Sequence, residues 1–431
     1  METLRDRPVL LHLTSLSSGG GYTYTMDFHR KCLEYGYDSY VVIRGKTCLY
    51  PDGSSREINN AKPLYWNKLR RFVFRKAIRH SHIDNTYSMY NLCERFTCYS
   101  AKDVLKFLPK KPDVIFVHWV SDFANAKVIH DLGKLTGAKI VFLLVDHALY
   151  SGGCHYQLDC QGYVNGCKKC PAASSWIVQK GIEWNYLFKK KYLPKNSYVI
   201  ANKSEEYRLR QSEIYKGFRV ERLILPMDEL RYHPAENRDE LREKWGVPIN
   251  SKIVLAGATN LNEPRKGMVL LIRALQQMKG EVITLLLAGN GTLQGTPNNA
   301  IFLGSLNEQQ LIEAYQMADV FVCPTIADAG PMMVQQALMC GTPVVAFPVG
   351  LSLDLVKTGK TGYVAEYGNA EDLAIGIETI VSLSKLDWQK MSDCCRENAV
   401  RLYSNQEKGH AIDELISKLF CGDCLTKPNI T

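Results

Sequence analysis

Residues 318–347 read Ala318-Asp319-Val320-Phe321-Val322-Cys323-Pro324-Thr325-Ile326-Ala327-Asp328-Ala329-Gly330-Pro331-Met332-Met333-Val334-Gln335-Gln336-Ala337-Leu338-Met339-Cys340-Gly341-Thr342-Pro343-Val344-Val345-Ala346-Phe347. Val320–Cys323 is a short apolar run that suits a strand buried on both faces. Pro331 fits the first position of a helix, where its missing N–H is not needed, and Gly341 fits the position just past the end. Pro343–Phe347 then reads as a second buried strand. Strand, loop, helix and strand in one stretch is the pattern of a parallel α/β sheet. Asp328 stands just ahead of the helix, where its carboxylate shares space with unpaired backbone N–H groups. Gln336 lies further along the helix, at about 1.5 Å of axial advance per residue. Both side chains can accept bonds from sugar hydroxyls. An N-capping Asp and a surface Gln fit the same two positions when each is taken singly.

Working outward, the same alternation fills most of the chain. Strands are expected at Val9–Leu13, Tyr40–Ile43, Val114–His118, Lys139–Val145 and Tyr198–Ala201, and in a second series at Ile253–Ala256, Val282–Ala288, Ala300–Leu303, Val320–Cys323 and Pro343–Phe347. Helices fit between them, as at Thr25–Tyr35, Met268–Met278, Asn307–Met317 and Val334–Met339. The class is therefore α/β with doubly wound parallel sheets, in two blocks. We expect an N-terminal domain over residues 1–228 and a C-terminal domain over 229–385. Helices over 386–420 are expected to pack back on the first domain, ahead of a tail at 421–431. The polar segment Met227–Asn250 reads as a linker followed by a short helix. Ligands of such sheets bind at the carboxyl ends of the strands, so two facing sheets would hold substrate in a cleft between them.

The whole chain has 431 residues, 46% hydrophobic and 23% charged, an ordinary globular composition that excludes wholesale disorder. No apolar run approaches the roughly 18–20 residues that span a bilayer. The first residues lack the pattern of a signal peptide, so a cytoplasmic location is expected. The net charge of +9 favours anionic partners such as phosphorylated small molecules, acidic lipid or nucleic acid. No nucleic-acid-binding signature accompanies it, so nucleic acid is the weaker reading.

Four local patterns could carry chemistry. Gly19-Gly20-Gly21 follows the first strand and precedes a helix, which fits an anion site, a close backbone approach or a plain tight turn. Glu263-Pro264-Arg265-Lys266-Gly267 places two adjacent cations after the first strand of the second block, suited to a diphosphate or to a solvated basic turn. Cys154, Cys160, Cys167 and Cys170 include one C-x2-C knuckle. Four thiolates would close a structural zinc site, and four reduced thiols would equally pack a loop. Tyr65–Arg79 carries six cations and no acid, with Lys68, Arg71, Arg75 and Arg79 on one helical face and Tyr65, Leu69, Phe72 and Val73 on another. With the basic run Phe188–Lys195, it fits an acidic membrane surface or an ordinary solvated face.

In this order and at these separations, the elements resemble glycosyltransferase family 4 over nearly the whole chain. Ala318–Phe347 is similar to that family's Glu-x7-Glu block followed by C-G-T-P-V-V. Asn260–Gly267 is similar to its K-G phosphate element and Gly19–Gly21 to its N-terminal glycine loop. Asp113–Trp119 resembles the strand that ends in the family's histidine, here His118. Ser151-Gly152-Gly153-Cys154-His155-Tyr156, with the later cysteines, resembles a subset associated with surface-polysaccharide assembly.

The resemblance implies the GT-B fold, two Rossmann-like domains facing a central cleft. It implies retaining transfer from a nucleotide diphospho-sugar, a UDP- or GDP-sugar, without a catalytic metal. Arg265 and Lys266 would hold the diphosphate, and Asp328 would meet sugar hydroxyls. Gln336 would meet the ribose, and Gly330, Pro331 and Met332 would line the donor. The Gly19, Gly20 and Gly21 amides would lie near the diphosphate, and His118 would orient sugar or acceptor. His118, Asp328 and Lys266 are thus the expected catalytic set. Asp328 and Gln336 both replace the motif's glutamates, and His147 is displaced from the His-Asp pair that often precedes the Gly-Gly-Cys-His stretch. The acceptor is expected to be a lipid-linked saccharide met at the inner face of the membrane. The alternatives are a non-catalytic nucleotide-sugar-binding protein, and a nucleotide-sugar epimerase or a synthase on a soluble acceptor.

Overall fold

The computed structural model describes residues 7–17, 19–44, 54–58, 64–278 and 283–420. Ser18, Val282 and the expected tail 421–431, with its Cys421/Cys424 pair, lie outside the described residues. The chain divides into two compact units, the first built from Met1–Ala201, Glu206–Leu225 and His410–Thr431, the second from Asn202–Glu205 and Pro226–Gly409.

The first unit holds a seven-stranded sheet: β1 (Leu10–Thr14), β2 (Ser39–Ile43), β3 (Ser55–Glu57), β4 (Val114–Val117), β5 (Lys139–Leu143), β6 (Tyr198–Ile200) and β7 (Arg219–Glu221). All pairs are parallel, in the order β3-β2-β1-β4-β5-β6-β7. The second holds β8 (Lys252–Asn260), β9 (Ile283–Asn290), β10 (Ile301–Gly304), β11 (Val320–Cys323), β12 (Val344–Ala346) and β13 (Gly362–Val364), also parallel, in the order β10-β9-β8-β11-β12-β13. Central strands such as β4 and β11 are buried at every residue because helices cover both faces, which is why they are written as unbroken apolar runs. The strand order reverses direction between β1 and β4 in one sheet and between β8 and β11 in the other. Loops leaving the carboxyl ends of those pairs diverge and open a crevice, so the fold places a site there in each unit.

Two sequence expectations change. The segment 227–250 is no free linker: Arg238 and Arg242, on the helix Arg238–Lys244, both donate to Asp319 and fasten it to the second sheet. The helices expected to return together to the first unit separate. Lys385–Tyr403 stays with the second unit, where Tyr403 Oη donates to Gln335 O at 2.9 Å. Ala411–Phe420 alone joins the first, burying Ile412, Leu415, Ile416 and Leu419 against Leu10, Phe28, Phe116 and Val141. The two helices differ in pattern: Ala411–Phe420 carries an apolar stripe, whereas Lys385–Tyr403 is more polar, burying Ser392, Cys395, Ala399 and Tyr403 and packing Trp388 and Met391 on the second unit's core. Among the described residues, no helix is long and apolar enough to cross a membrane.

Candidate active site

In the second unit the crevice is bordered by the loop after β8 and the loop after β11. Gly267 ends the first of these with φ +66, and a Cβ there would lie 1.8 Å from Pro324 O. Only glycine lets the two loops close on each other. The backbone completes the clasp, since Ile326 N–H donates to Arg265 O at 2.9 Å. Arg265 and Lys266 are thereby held against Asp328. Lys266 Nζ lies 2.6 Å from Asp328 Oδ2 and Arg265 Nη1 lies 3.0 Å from the same oxygen. Asp328 Oδ1 accepts from Gly330 N–H at 3.0 Å, and Arg265 Nε also reaches Glu263 Oε1 at 2.6 Å.

Burial pushes the Asp328 carboxyl up, but the charges of Lys266 and Arg265 and the bonds they donate outweigh it and hold the group well below the usual carboxylate range. The stabilisation is therefore present above the unfolded value of about 3.9 and is lost as pH falls through and below it. Asp328→Asn is expected to flatten the acid limb of the melting-temperature profile between about pH 5 and pH 3; a limb as steep as wild type would contradict the ion cluster.

The helix Met332–Met339 starts one residue later than the sequence suggests. Pro331 is its cap, with extended backbone, and Met332 is half-buried at its start. Gln336 is held by two tyrosines: Tyr315 Oη donates to its Oε1 at 3.0 Å, and its Nε2 donates to Tyr232 Oη at 3.2 Å. Tyr232 Oη in turn donates to Glu308 at 2.9 Å. An amide suits this place because Tyr232 spends its own proton on Glu308 and needs a donor from Gln336. One Gln336 N–H and one carbonyl lone pair remain for a ligand. Neither tyrosine was singled out from sequence; each is a lone aromatic with no local pattern pointing at Gln336.

In the first unit, Gly19 caps the helix Gly20–Glu34 with φ +79, so Gly20 and Gly21 form its first turn beyond β1. His118 follows β4, and its backbone N–H donates to Leu13 O on β1, which puts it at the switch point of that sheet. Its Nε2 lies 3.0 Å from His12 Nδ1, while its Nδ1 has no partner among the described residues. Burial, with help from His29, lowers His118 to about 3, so it acts as a neutral hydrogen-bonding ring at ordinary pH. His12, a polar residue in the middle of an apolar strand, was the signal that sequence reading passed over.

The four cysteines of the zinc expectation lie together in the first unit. Cys154, Cys160, Cys167 and Cys170 border one cavity of about 10 Å³ as free cysteines. Among the described residues no group of three or more His, Cys, Asp or Glu side chains is placed to hold a metal ion. Burial raises the Cys154 and Cys167 thiols, Cys167 to about 12.

Residues 237–401 match the family described as glycosyl transferases group 1. That match lies within the second unit. Its matched span contains Arg265, Lys266, Asp328 and Gln336 together. A GDP-mannose-dependent alpha-mannosyltransferase of Mycobacterium tuberculosis is 30% identical over 166 residues, 37% of this chain and 42% of that protein. A GDP-mannose-dependent alpha-(1-6)-phosphatidylinositol monomannoside mannosyltransferase of Mycolicibacterium smegmatis is 28% identical over 183 residues, 38% and 47%. The chain thus spans less than half the length of these curated relatives. A solved Anabaena structure, Alr3699/HepE in complex with UDP and glucose, superimposes with a TM-score of 0.64 over 95% of this chain and 100% of that one, at 16% identity. That likeness carries the fold, which is of the GT-B class.

Proposed function

We propose that the protein is a retaining glycosyltransferase that moves a sugar from a nucleotide diphospho-sugar to a lipid-linked saccharide at an acidic membrane surface, in cell-surface polysaccharide assembly. The observation that carries this is the Arg265–Lys266–Asp328 cluster at the switch point of the second sheet, within the span that matches the group 1 family. The two cations neutralise the leaving diphosphate as the sugar–phosphate bond breaks, and the remaining lone pair of Asp328 Oδ1 accepts from a sugar hydroxyl. The acceptor oxygen forms the new bond on the same face, and its proton passes to the departing phosphate oxygen. Positioning and charge neutralisation supply the rate. The names of the mannosyltransferase relatives, one acting on a phosphatidylinositol mannoside, support a sugar-nucleotide donor and a lipid-borne acceptor. The test is release of nucleoside diphosphate from a panel of UDP- and GDP-sugars. Thermal stabilisation by a donor with no release from any of them would instead favour the binding-protein reading, for which the tyrosine-held Gln336 speaks.

The helix Tyr65–Ala77 supports the membrane surface, and in an orientation the sequence did not give. It is mounted through Arg71, 2.6 Å from Asp122, and through Phe74 and Ile78, which pack on the core. Its apolar face points outward: Trp66 is 76% exposed, Tyr65 73% and Phe72 65%, with Lys68, Arg70 and Lys76 beside them. Trp176, Trp184 and Leu187 on the helix Trp176–Tyr192, against which Phe74 packs, are also exposed. Lys189, from the run expected to face lipid, is instead buried and 2.8 Å from Glu94. Aromatic groups that leave water while cations meet anionic headgroups bind vesicles by both terms. Sedimentation with phosphatidylglycerol-containing vesicles is expected to carry the protein down. The double variant Trp66→Glu/Phe72→Glu should reduce partitioning at least about tenfold with the fold intact; equal sedimentation of the two proteins would remove the membrane from the proposal.

A further inference from the structure

The first unit contains a second constellation, built on His155 of the Ser151–Tyr156 stretch and apart from the expected catalytic set. Ser121 Oγ lies 3.0 Å from His155 Nε2, and His155 Nδ1 lies 2.7 Å from Asp146 Oδ2. Asp146 Oδ1 accepts from Ala148 N–H at 2.6 Å. His155 is fully buried, and the Trp119 ring stacks on it at 4.0 Å between centroids, with Tyr90 at 5.2 Å. A serine, a histidine and a carboxylate in line is a geometry in which each group fixes the next. Burial pushes the Asp146 carboxyl up, but the charge and hydrogen bond of His155 and the Ala148 amide outweigh it, so it stays ionised and can only accept. The His155 proton therefore sits on Nδ1. In the neutral ring Nε2 is bare, so Ser121 donates to it, and the remaining lone pairs of the serine are presented as acceptors.

Ser121 borders a cavity of about 70 Å³ with Trp119, Asp146, Asn91 and His118. One water needs about 10–15 Å³, so the space takes a carbon-borne group with its hydroxyl. Asn91 Oδ1 and His118 Nδ1, both on side chains more than nine-tenths buried, have no hydrogen-bond partner among the described residues. Unmade bonds of this kind are costly. The cations in the same wall are each spoken for: Arg71 lies 2.6 Å from Asp122, and Lys189 lies 2.8 Å from Glu94 while donating to Ser151 O at 2.9 Å. A wall that is largely apolar, with the Ser121 hydroxyl at its border and its cations neutralised, suits a neutral hydroxyl-bearing group and not a phosphate.

We infer that this cavity is a subsite for a neutral, hydroxyl-bearing group of a saccharide, with Ser121 its specificity-determining contact and His155 and Asp146 its positioning residues. Naming the saccharide as the acceptor rests on the transferase reading; the hydroxyl chemistry does not.

The full-length protein, without sugar nucleotide, is examined by saturation-transfer NMR against methyl glycosides that differ in hydroxyl configuration, with glucose 1-phosphate as the anionic probe. At least one methyl glycoside is expected to bind. Ser121→Ala, at a half-buried position, should keep the wild-type melting curve and weaken that binding about tenfold. Asp146→Asn offers N–H to His155 Nδ1, moves the ring proton to Nε2 and reverses the serine's role, so it should give the same loss. If that buried variant does not fold, Ser121→Ala decides alone. Absence of binding by every glycoside, an unchanged affinity in Ser121→Ala, or tighter binding of glucose 1-phosphate than of methyl glucoside would each overturn the subsite. Donor cleavage is read separately. Cleavage with no effect of Ser121→Ala removes the subsite and leaves the transferase; serine-dependent glycoside binding without cleavage does the reverse.

Discussion

Lys266→Ala is expected to lower nucleoside diphosphate release from the preferred sugar nucleotide by about 10²–10³-fold, the range found when one preorganised donor to a developing anion is removed. The loss should fall mainly on kcat. The ammonium meets a diphosphate both before and after the bond breaks, but the charge it must neutralise grows as the sugar departs. The fold should survive, because Lys266 is partly exposed and its loop is fastened elsewhere, by the Ile326 N–H bond to Arg265 O and by the close approach of Gly267 to Pro324. Asp328 also keeps a cation, since Arg265 Nη1 stays 3.0 Å away. Lys266→Arg retains charge while changing reach, and is expected to recover part of the rate. An alanine variant that turns over donor as fast as wild type, with an unchanged melting curve, would separate the cluster from the chemistry.

What could be seen in the sequence follows from what each place in the fold demands. β4 and β11 lie in the middle of their sheets with helices on both faces, so Val114–Val117 and Val320–Cys323 had to be apolar throughout and are visible as such. β3, β7 and β13 are three-residue edge strands, paired on one side only, and a polar Arg219-Val220-Glu221 serves there without any apolar run. The same contrast separates the two clusters of side chains. Arg265, Lys266 and Asp328 sit in two loops beside predictable strands, and sheet topology alone brings such loops together. Ser121, Asp146 and His155 are joined by an irregular segment that loops back, with the His147 N–H donating to His155 O, and no periodicity encodes that return. Lys189 shows the opposite failure. Among consecutive lysines on one helix, one must face inward at 3.6 residues per turn, and a charge run does not tell which.

A carboxylate stands at each end of β11, and the two do different work. Asp328 follows the strand, at the carboxyl end where ligands bind. Asp319 precedes it, at the end the fold uses for stability. Asp319 Oδ1 accepts from Arg238 Nη2 at 2.8 Å; Oδ2 accepts from Arg242 Nη2 at 2.9 Å and from Ile253 N–H, at the start of β8, at 2.6 Å. Its carbonyl accepts from Trp388 Nε1 at 2.8 Å, and Arg238 stacks on that indole at 3.9 Å. One side chain therefore ties the helix Arg238–Lys244 to two neighbouring strands. Asp319→Ala removes the counter-charge of two guanidinium groups, leaving them backbone carbonyls alone, with Arg242 almost wholly buried, and takes the acceptor from a backbone N–H. Removing one partner of such a network costs about 3–5 kcal/mol, a fall in melting temperature of roughly 10 °C for a unit of this size. Asp319→Asn keeps the shape and one acceptor and should cost less. Per folded molecule, donor turnover should be unchanged in both, because Asp319 lies at the opposite end of β11 from Lys266 and Asp328. A shift of under about 2 °C in Asp319→Ala would mean that the carbonyls of Met317 and Ala318 suffice for the two arginines and that the carboxylate does not hold the segment before β8.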